Sequence, residues 1–339
     1  MLDVLSVGLA AFLISVVMTG VMRGYALKRQ LMDIPNERGS HSVSTPRGGG
    51  LAIVLGFVVL LPAAAVLGRA DSILLLATMP AVGAVAAVGF WDDHGHVPAR
   101  YRIVVHFAAV FWAVVLLGHA LVIPLPWGVF EAGWFALLLL GVGMVWFLNL
   151  FNFMDGIDGI AAVEAVFIAF SGSVLCGMAG MQGVSLAFAA LGAASLGFLL
   201  WNWPPARIFM GDAGSGFLGA ALGILSYAAA VEGGVTLWSW LILAAVFVTD
   251  ASVTLARRLF RGEKWYEPHR SHAYQRASRR WGHRAVTLGV IFIDIGWLLP
   301  LAYYVFLQPQ KGVIIALVAY MPLILLALKI GAGRKDGAF

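Results

Sequence analysis

Long apolar runs alternate with short polar stretches along the whole chain. Each run has roughly 18 to 22 residues, which is enough for a helix to cross a bilayer core of about 30 Å. Eleven such runs predict an all-α, polytopic membrane protein with about eleven transmembrane helices. The predicted spans are residues 2–22, 51–68, 72–91, 103–121, 133–151, 160–180, 185–203, 214–231, 236–256, 286–306 and 312–329.

Composition excludes the main alternatives to this fold. Hydrophobic residues make up 61% of the 339 residues and charged residues only 12%, whereas a soluble domain has about 25% charged residues. A membrane β-barrel is excluded because its strands alternate apolar and polar positions over about ten residues. The chain has no clear repeat and no linker, so we predict a single domain over residues 1–339.

Neither end of the first run has the charges of a cleaved signal peptide. The chain begins with Asp3 in place of a basic region, and Arg23, Lys28 and Arg29 follow the run. We therefore expect a retained first helix. Cys176 is the single cysteine, so no intrachain disulfide is expected.

Basic residues define the predicted orientation. When the connections between spans are assigned alternately to the two sides, all but Arg69 and Lys311 of the 22 Lys and Arg residues fall on one side. Cytoplasmic loops carry such an excess, which predicts an outside N-terminus and a cytoplasmic C-terminus. The net charge of +5 then belongs to a membrane surface and gives no reason to expect nucleic acid. The predicted active-site loops on the cytoplasmic side lie near residues 23–50, 92–102, 152–159, 204–213 and 257–285.

Asp92 and Asp93 end the third predicted span, and Arg100 and Arg102 follow. Adjacent carboxylates repel each other, so at a membrane boundary they indicate a bound cation or a proton-transfer role. The alternative is a polar helix end with two solvated acids.

Four polar residues end the fifth predicted span at intervals of three, namely Asn149, Asn152, Asp155 and Asp158. This spacing stacks side chains along one face of a helical turn. Gly156 allows the backbone to approach a ligand closely. A binding site is predicted, and the alternative is a helix cap followed by a turn.

Asp212 precedes a glycine-rich entry into the eighth predicted span. It is a candidate metal ligand, and the helix N-terminus beside it would favour phosphate oxygens. Capping of that helix is an equally good interpretation.

Two polar loops supply candidate phosphate-binding groups. The loop 257–285 contains His269, Arg270, His272 and Arg276, which suit a diphosphate; a basic loop attracted to anionic lipid is the alternative. The loop 23–50 contributes His41 and Arg47 before the glycines at 48–50.

Carboxylate and amide oxygens are the ligands that Mg²⁺ prefers, and Mg²⁺ shares its coordination with substrate phosphates. The residues therefore predict Mg²⁺-dependent phosphoryl transfer, with Mn²⁺ as an alternative metal. The expected substrates are one water-soluble phosphate compound and one lipid, at the membrane surface.

The motifs RGGGLAI, FWDDHGHVPARYR, NLFNFMDGIDGIA, FMGDAGSGFLG and PHRSHAYQR occur in this order between about residues 33 and 276. The chain thereby resembles the polyprenyl-phosphate N-acetylhexosamine-1-phosphate transferases. This resemblance implies transfer of a sugar 1-phosphate from a UDP-N-acetyl sugar to undecaprenyl phosphate in the bacterial inner membrane, with release of UMP. Membrane lipids are expected partners, and the resemblance leaves room for a homodimer.

The resemblance also implies residue roles. Asp92 and Asp93 match an acidic pair beside the lipid phosphate, and Arg102 matches a basic position of the phosphate site. Asn152 and Asp212 match positions that hold Mg²⁺.

Three further matches have less defined roles. Phe209 matches an aromatic residue that stacks on uracil, and Asp155 and Asp158 match the carboxylates of the shared DGIDG-type motif. The basic loop lacks the triple-histidine run of the muramyl-pentapeptide branch, and Arg47 departs from that branch as well. These departures favour an O-antigen or capsule initiator that uses a smaller sugar.

Two other functions compete with this interpretation. A polytopic transporter would place charges deep in its spans, where the acids are Glu164, Asp250 and Asp294; we expect these to serve structural hydrogen bonds. A CDP-alcohol phosphotransferase would need an arginine after its DG pair, but Ile160 follows Gly159.

Overall fold

A computed structural model describes residues 2–34, 43–66, 68, 71–95, 97–118, 120–263 and 269–334. The helices are α1 (Leu2–Arg29), α2 (Leu51–Val66), α3 (Ser72–His94), α4 (Ala99–Leu117), α5 (Trp134–Met154), α6 (Ile160–Met178), α7 (Gln182–Asn202), α8 (Asp212–Val231), α9 (Leu237–Leu243), α10 (Ala245–Phe260), α11 (Ala273–Trp281), α12 (His283–Ile293), α13 (Leu299–Leu307) and α14 (Gly312–Ile330). The strands are β1 (Met32–Asp33), β2 (Thr45–Pro46), β3 (Val122–Leu125) and β4 (Gly128–Glu131).

The predicted all-α membrane fold is confirmed. Within the described ranges, nine helices are long and apolar enough to cross a bilayer, and they coincide with nine of the eleven predicted spans. The second span, α2, has only 16 residues. The ninth is not one straight helix, because α9 and α10 meet at a 75° bend.

The three helices α6, α7 and α8 form the centre of the molecule, since most of their residues are buried inside the protein. Helices α1, α4, α5 and α14 present most of their surface outward. Close packing at the centre depends on small residues: a Cβ atom on Gly219 of α8 would lie 2.7 Å from the Cα of Leu148 on α5. Such contacts bring polar helix ends close together.

Several short elements were not predicted. Strands β1 and β2 pair antiparallel, with Met32 opposite Pro46, and β3 pairs with β4 in a hairpin at the other end of the molecule. Residues Asp294–Leu298 form a π-helical turn between α12 and α13. The polar loop after α10 contains the short helix α11.

Candidate active site

Asp93 caps a neighbouring helix. Its Oδ1 accepts the backbone N–H of Asp212 at 3.0 Å, and its Oδ2 accepts that of Ala213 at 3.1 Å. Asp93 is only 4% exposed. A carboxylate at this position compensates the positive end of α8. Gly211, with φ +78°, is required here because a Cβ would lie 2.7 Å from Asp93 Oδ2.

This cap corrects one expectation from the sequence. The start of α8 was expected to favour phosphate oxygens, but its first two N–H groups bond to Asp93. The next two, from Gly214 and Ser215, bond to the carbonyl of Gly211. A substrate phosphate therefore finds none of these four donors available.

Asp92, Arg102, Asp212 and Asn152 form one connected network. The guanidinium of Arg102 forms an ion pair with Asp92, and its Nη1 lies 3.3 Å from Asp212 Oδ2. The other oxygen of Asp212 accepts Asn152 Nδ2 at 2.7 Å. Three separate helix ends, from α3, α5 and α8, thus meet at the start of α4.

The members of this network differ in exposure. The Asp92 side chain is 9% exposed and also accepts the backbone N–H of Val97 at 2.8 Å. The side chains of Arg102 and Asp212 are 31% and 36% exposed. Arg102 and Asp212 therefore offer a cationic and an anionic group to a ligand at the same location. The Asp92 side chain is more deeply buried than either.

Asp155 adds another carboxyl group to the same region. It is the C-cap residue of α5 and half-buried. Burial raises the pKa of its carboxyl well above the usual range, and the charges of Asp212, Asp93 and Asp158 raise it further. The acids are in excess of the cations here, which a bound metal cation would correct.

The residues fit a cation that shares its ligands with a substrate. Asp212 would provide a carboxylate oxygen, and Asn152 would provide its amide oxygen. In the part of the chain that is described, no group of three or more His, Cys, Asp or Glu residues could hold a metal ion alone. Mg²⁺ commonly uses one or two protein oxygens plus phosphate and water, so this ligand set is sufficient.

Asp158 connects the DGIDG loop to two other segments. Its Oδ2 accepts the backbone N–H of Ala206 at 3.0 Å, and its Oδ1 lies 3.2 Å from His283 Nδ1 on α12. Its carbonyl accepts the hydroxyl of Thr287. These contacts fix the loop between α5 and α6 against the start of α12.

Phe209 lies in a short backbone pairing beside the network. Its N–H donates to the carbonyl of Pro46, and its carbonyl accepts the N–H of Gly49. Gly50 then approaches so closely that a Cβ there would lie 2.4 Å from the Cα of Gly214. The Phe209 side chain is half-buried. Of the predicted phosphate-binding groups in this loop, His41 lies outside the described residues.

His272 and Asp250 anchor the basic loop. Asp250 Oδ1 lies 3.2 Å from His272 Nδ1 and accepts the N–H of Ala273, while its Oδ2 accepts the N–H of Tyr274. Asp250 thus caps α11 in the same way that Asp93 caps α8. His269 stacks on His272, and burial, helped by the charges of His272 and Arg258, lowers the pKa of His269 to about 3.

The two predicted arginines of this loop are both half-buried. Arg276 donates from Nε to the carbonyl of Ile330 at 3.3 Å, at the end of α14. The carbonyl of Arg270 accepts a hydrogen bond from Arg279. The loop contacts the end of α5 through Tyr274, whose hydroxyl donates to the carbonyl of Phe153 at 2.9 Å, and Phe153 directly follows Asn152 of the network.

Comparison with known proteins decides the family. The model of glycosyl transferase family 4 matches residues 72–230. A probable undecaprenyl-phosphate N-acetylglucosaminyl 1-phosphate transferase of Bacillus subtilis (strain 168) is 30% identical over 281 residues, which cover 78% of this chain and 76% of that protein. The chain belongs to glycosyl transferase family 4. The resemblance inferred from the motifs is confirmed.

Other family 4 relatives are named either as N-acetylglucosaminephosphotransferases or as phospho-N-acetylmuramoyl-pentapeptide-transferases. A decaprenyl-phosphate N-acetylglucosaminephosphotransferase of Mycobacterium tuberculosis (strain ATCC 25618 / H37Rv) is 30% identical over 322 residues, covering 86% of this chain and 79% of that protein. A phospho-N-acetylmuramoyl-pentapeptide-transferase of Desulforamulus reducens is 32% identical over 206 residues, covering 53% of this chain and 58% of that protein. The family 4 match therefore makes this chain a phospho-sugar transferase of the polyprenyl-phosphate type.

Two residues of this family 4 site were not identified from the sequence. His106 is 8% exposed, and its Nδ1 lies 3.4 Å from Asn149 Nδ2. The Ser215 hydroxyl lies 3.0 Å from Asn152 Nδ2. A helical-spacing test would have found both, since His106 follows Arg102 by four residues and Ser215 follows Asp212 by three.

Proposed function

We propose that this family 4 enzyme transfers an N-acetylhexosamine 1-phosphate from a UDP-sugar to undecaprenyl phosphate and releases UMP. The product, an undecaprenyl-diphosphate sugar, would begin synthesis of O-antigen or a related polysaccharide. The single observation that carries this proposal is the network of Asp92, Arg102, Asp212 and Asn152 at one end of the membrane-spanning helices. The names of the Bacillus subtilis and Mycobacterium tuberculosis proteins, which give undecaprenyl phosphate and decaprenyl phosphate respectively, support transfer of an N-acetylhexosamine phosphate to a polyprenyl phosphate.

Arg102, Asp92 and Asp93 have different roles in this proposal. Arg102 binds a phosphate oxygen, because a guanidinium is suited to phosphate and this one is 31% exposed. Asp92, held by Arg102 and Val97, orients or deprotonates the lipid phosphate. Asp93 is a positioning residue, because both of its oxygens are engaged by the backbone of α8.

Asn152 and Asp212 would hold Mg²⁺ in this proposal. When bound, Mg²⁺ supplies neutralisation of diphosphate charge during phosphoryl transfer. Asp212 keeps its orientation toward the ligand through Asn152 and Arg102, and Ser215 supports Asn152 from α8.

Direct displacement is the mechanism that we favour. An oxygen of the lipid phosphate forms a bond to the β-phosphorus of the UDP-sugar, and the bond from that phosphorus to the bridging oxygen breaks, so that UMP leaves with the bridging oxygen. The alternative is attack by a carboxylate to form an acyl phosphate. The lipid phosphate is already a competent nucleophile, and Asp92 is already paired with Arg102.

Isotope exchange separates the two mechanisms. An enzyme that forms an acyl phosphate incorporates labelled UMP into the UDP-sugar in the absence of lipid. Direct displacement requires undecaprenyl phosphate for that exchange, which is the expected result.

The site is assigned to the cytoplasmic face of the bacterial inner membrane. Apart from Lys311, the described Lys and Arg residues lie on segments at the site end of the helices. An excess of basic residues is typical of cytoplasmic loops, which supports this orientation.

The test is a reaction with purified full-length protein, Mg²⁺, undecaprenyl phosphate and a panel of UDP-N-acetyl sugars. UMP release and a lipid product heavier by one sugar phosphate are expected, both measured by mass spectrometry. Asp212→Asn tests the site, and Asp71→Asn is its matched control, because Asp71 also begins a helix but lies at the opposite end of α3. Release of UDP would contradict the proposal.

A further inference from the structure

A deep groove lies between α6 and the α12–α13 segment, away from the carboxylate network. Its volume is about 770 Å³, within the range of about 300–1,000 Å³ that is typical of ligand pockets. The lining is almost entirely apolar and includes Val166, Phe170 and Val174 of α6 and Tyr303 of α13. None of the lining residues belongs to α3, α4, α5 or α8, which carry the network.

A π-helical turn and a proline lie beside the groove. The N–H of Leu299 bonds to the carbonyl of Asp294, five residues earlier, which closes a π-helical turn. Pro300 follows and has no N–H to continue a regular α-helical ladder. Ile295, Leu299 and Pro300 of this segment line the groove.

A pair of buried acids lies beside the groove, and one of them, Asp294, belongs to its lining. Glu164 of α6 and Asp294 are both fully buried and interact with each other. Apart from each other, the two acids have no hydrogen-bond partner in the described ranges for any of their four oxygens. Two adjacent anions without a cation are too costly inside a membrane, so the carboxyl groups share at least one proton. The pair joins the two walls and leaves the open part of the groove apolar.

The dimensions of the groove suit an acyl chain. The α6 lining extends from Val163 to Met178, which is about 22 Å at 1.5 Å per residue. One leaflet contributes about 15 Å of hydrocarbon, half of the bilayer core. The groove therefore accommodates a chain that enters from the site end of the helices.

Basic residues lie at the site end of the groove, where the acyl chain would enter. Arg284, in the first turn of α12, precedes the lining residue Ile291 of the same helix by seven residues. This spacing places Arg284 on the helix face that leads into the groove. Arg284 is exposed, and the exposed Arg280 precedes it at the end of α11. The entrance is thus positively charged while the interior is apolar.

We infer that this groove binds one anionic phospholipid, with an acyl chain along α6 and its phosphate headgroup at Arg284. Charge at the entrance and an apolar interior match the two parts of such a lipid. This lipid is neither donor nor acceptor of the transfer reaction, and its site is separate from the residues assigned to catalysis.

The experiment uses phosphatidylglycerol with a photoreactive acyl chain, in phosphatidylcholine vesicles that contain the full-length protein. Cross-linked peptides are identified by mass spectrometry. We expect labelling concentrated on α6 and α13. Val174→Trp fills the groove and should abolish this labelling, whereas Val17→Trp should leave it unchanged. The two valines are a matched pair, since they are 61% and 62% exposed on α6 and α1.

A second variant tests the headgroup. Arg284→Gln removes one charge and should weaken labelling about fivefold, the effect of one basic residue at a membrane surface. Photoreactive phosphatidylcholine should label the groove less than phosphatidylglycerol in wild-type protein. Equal labelling by both lipids, or an unchanged signal in Val174→Trp, would overturn the proposal.

One competitor separates this site from the acceptor site. Excess undecaprenyl phosphate should not displace phosphatidylglycerol from the groove, and displacement would assign the groove to the acceptor instead. UMP release is measured on the same samples. Absent UMP release with intact groove labelling would count against the proposed reaction alone.

Discussion

The carboxyl group of Asp93 on α3 and the backbone N–H of Asp212 at the start of α8 are joined by a 3.0 Å hydrogen bond. The side chain of Asp92, the preceding residue, forms an ion pair with Arg102 instead. Successive side chains on a helix point about 100° apart, so two adjacent acids in one motif serve different partners. This divergence gives the first prediction.

Asp92→Asn should lower turnover by about 10²-fold or more, the scale of a lost acid–base group, while the UDP-sugar still binds. Asp93→Ala should instead lower the free energy of unfolding by about 1–3 kcal/mol, because two buried N–H groups lose their acceptor. Turnover, nucleotide binding by calorimetry and thermal unfolding in detergent distinguish the two variants. Identical profiles for both would refute the division of roles.

Asp212→Asn should fold normally and be nearly inactive at ordinary Mg²⁺ concentrations. Asparagine keeps an acceptor oxygen for Asn152 but loses the charge that holds a hard cation among phosphates. Asn152→Ala should behave similarly. Turnover measured across a Mg²⁺ titration checks this, and an unchanged Mg²⁺ requirement in Asp212→Asn would remove Asp212 from the metal site.

Gly156→Ala should reduce both stability and activity. A Cβ at Gly156 would lie 2.1 Å from the hydroxyl oxygen of Tyr274, and such overpacking typically costs about 1–3 kcal/mol. Tyr274→Phe removes the colliding oxygen, so the double variant should recover part of the loss. Gly83→Ala is the control, since a Cβ there meets nothing within 4 Å. Purely additive losses in the double variant would contradict this contact.

Nine of the eleven spans were predictable because a membrane-spanning helix requires a long apolar run, whatever its packing. The bend at Ala244 was not predictable, since apolar residues continue through it from α9 to α10. The π-helical turn at Asp294–Leu298 was hidden for the same reason. The hydropathy of a segment predicts that it can cross the membrane, but it does not predict where the helix bends.

The site was predicted in outline, and the partners of each residue were not. The motifs indicated which helix ends carry chemistry, and the network of Asp92, Arg102 and Asp212 joins three of them. Which carboxylate caps α8 depends on how α3 packs against α8. The tight approach of Gly89 to the backbone of Asp212 sets that packing, and it cannot be inferred from spacing along one chain.

Acid should destabilise the protein partly through His269. The pKa of this histidine is about 3 in the folded protein, against an ordinary value of 6.5. Between these values the unfolded chain binds a proton that the folded chain does not. Stability contributed by neutral His269 is therefore present above pH 6.5 and is lost as the pH falls toward 3.

The measurement is the unfolding temperature at several pH values from 7.5 down to 4.5. His269→Asn keeps an acceptor for the Ser271 hydroxyl, which now bonds to His269 Nδ1 at 3.1 Å, and should flatten the pH dependence. His94→Asn, at an exposed position, serves as the control. Parallel curves for wild type and His269→Asn would show that another group dominates.

The cap that Asp93 places on α8 has a consequence for inhibitor design. An anionic group built to bind a helix terminus gains nothing here, because the donors at that terminus are already engaged. It would also meet the carboxylates of Asp92 and Asp212 unless a cation accompanied it. In the absence of Mg²⁺, neutral compounds that hydrogen-bond Arg102 and Asn152 and fill the neighbouring apolar surface should therefore bind this transferase better than close copies of a diphosphate.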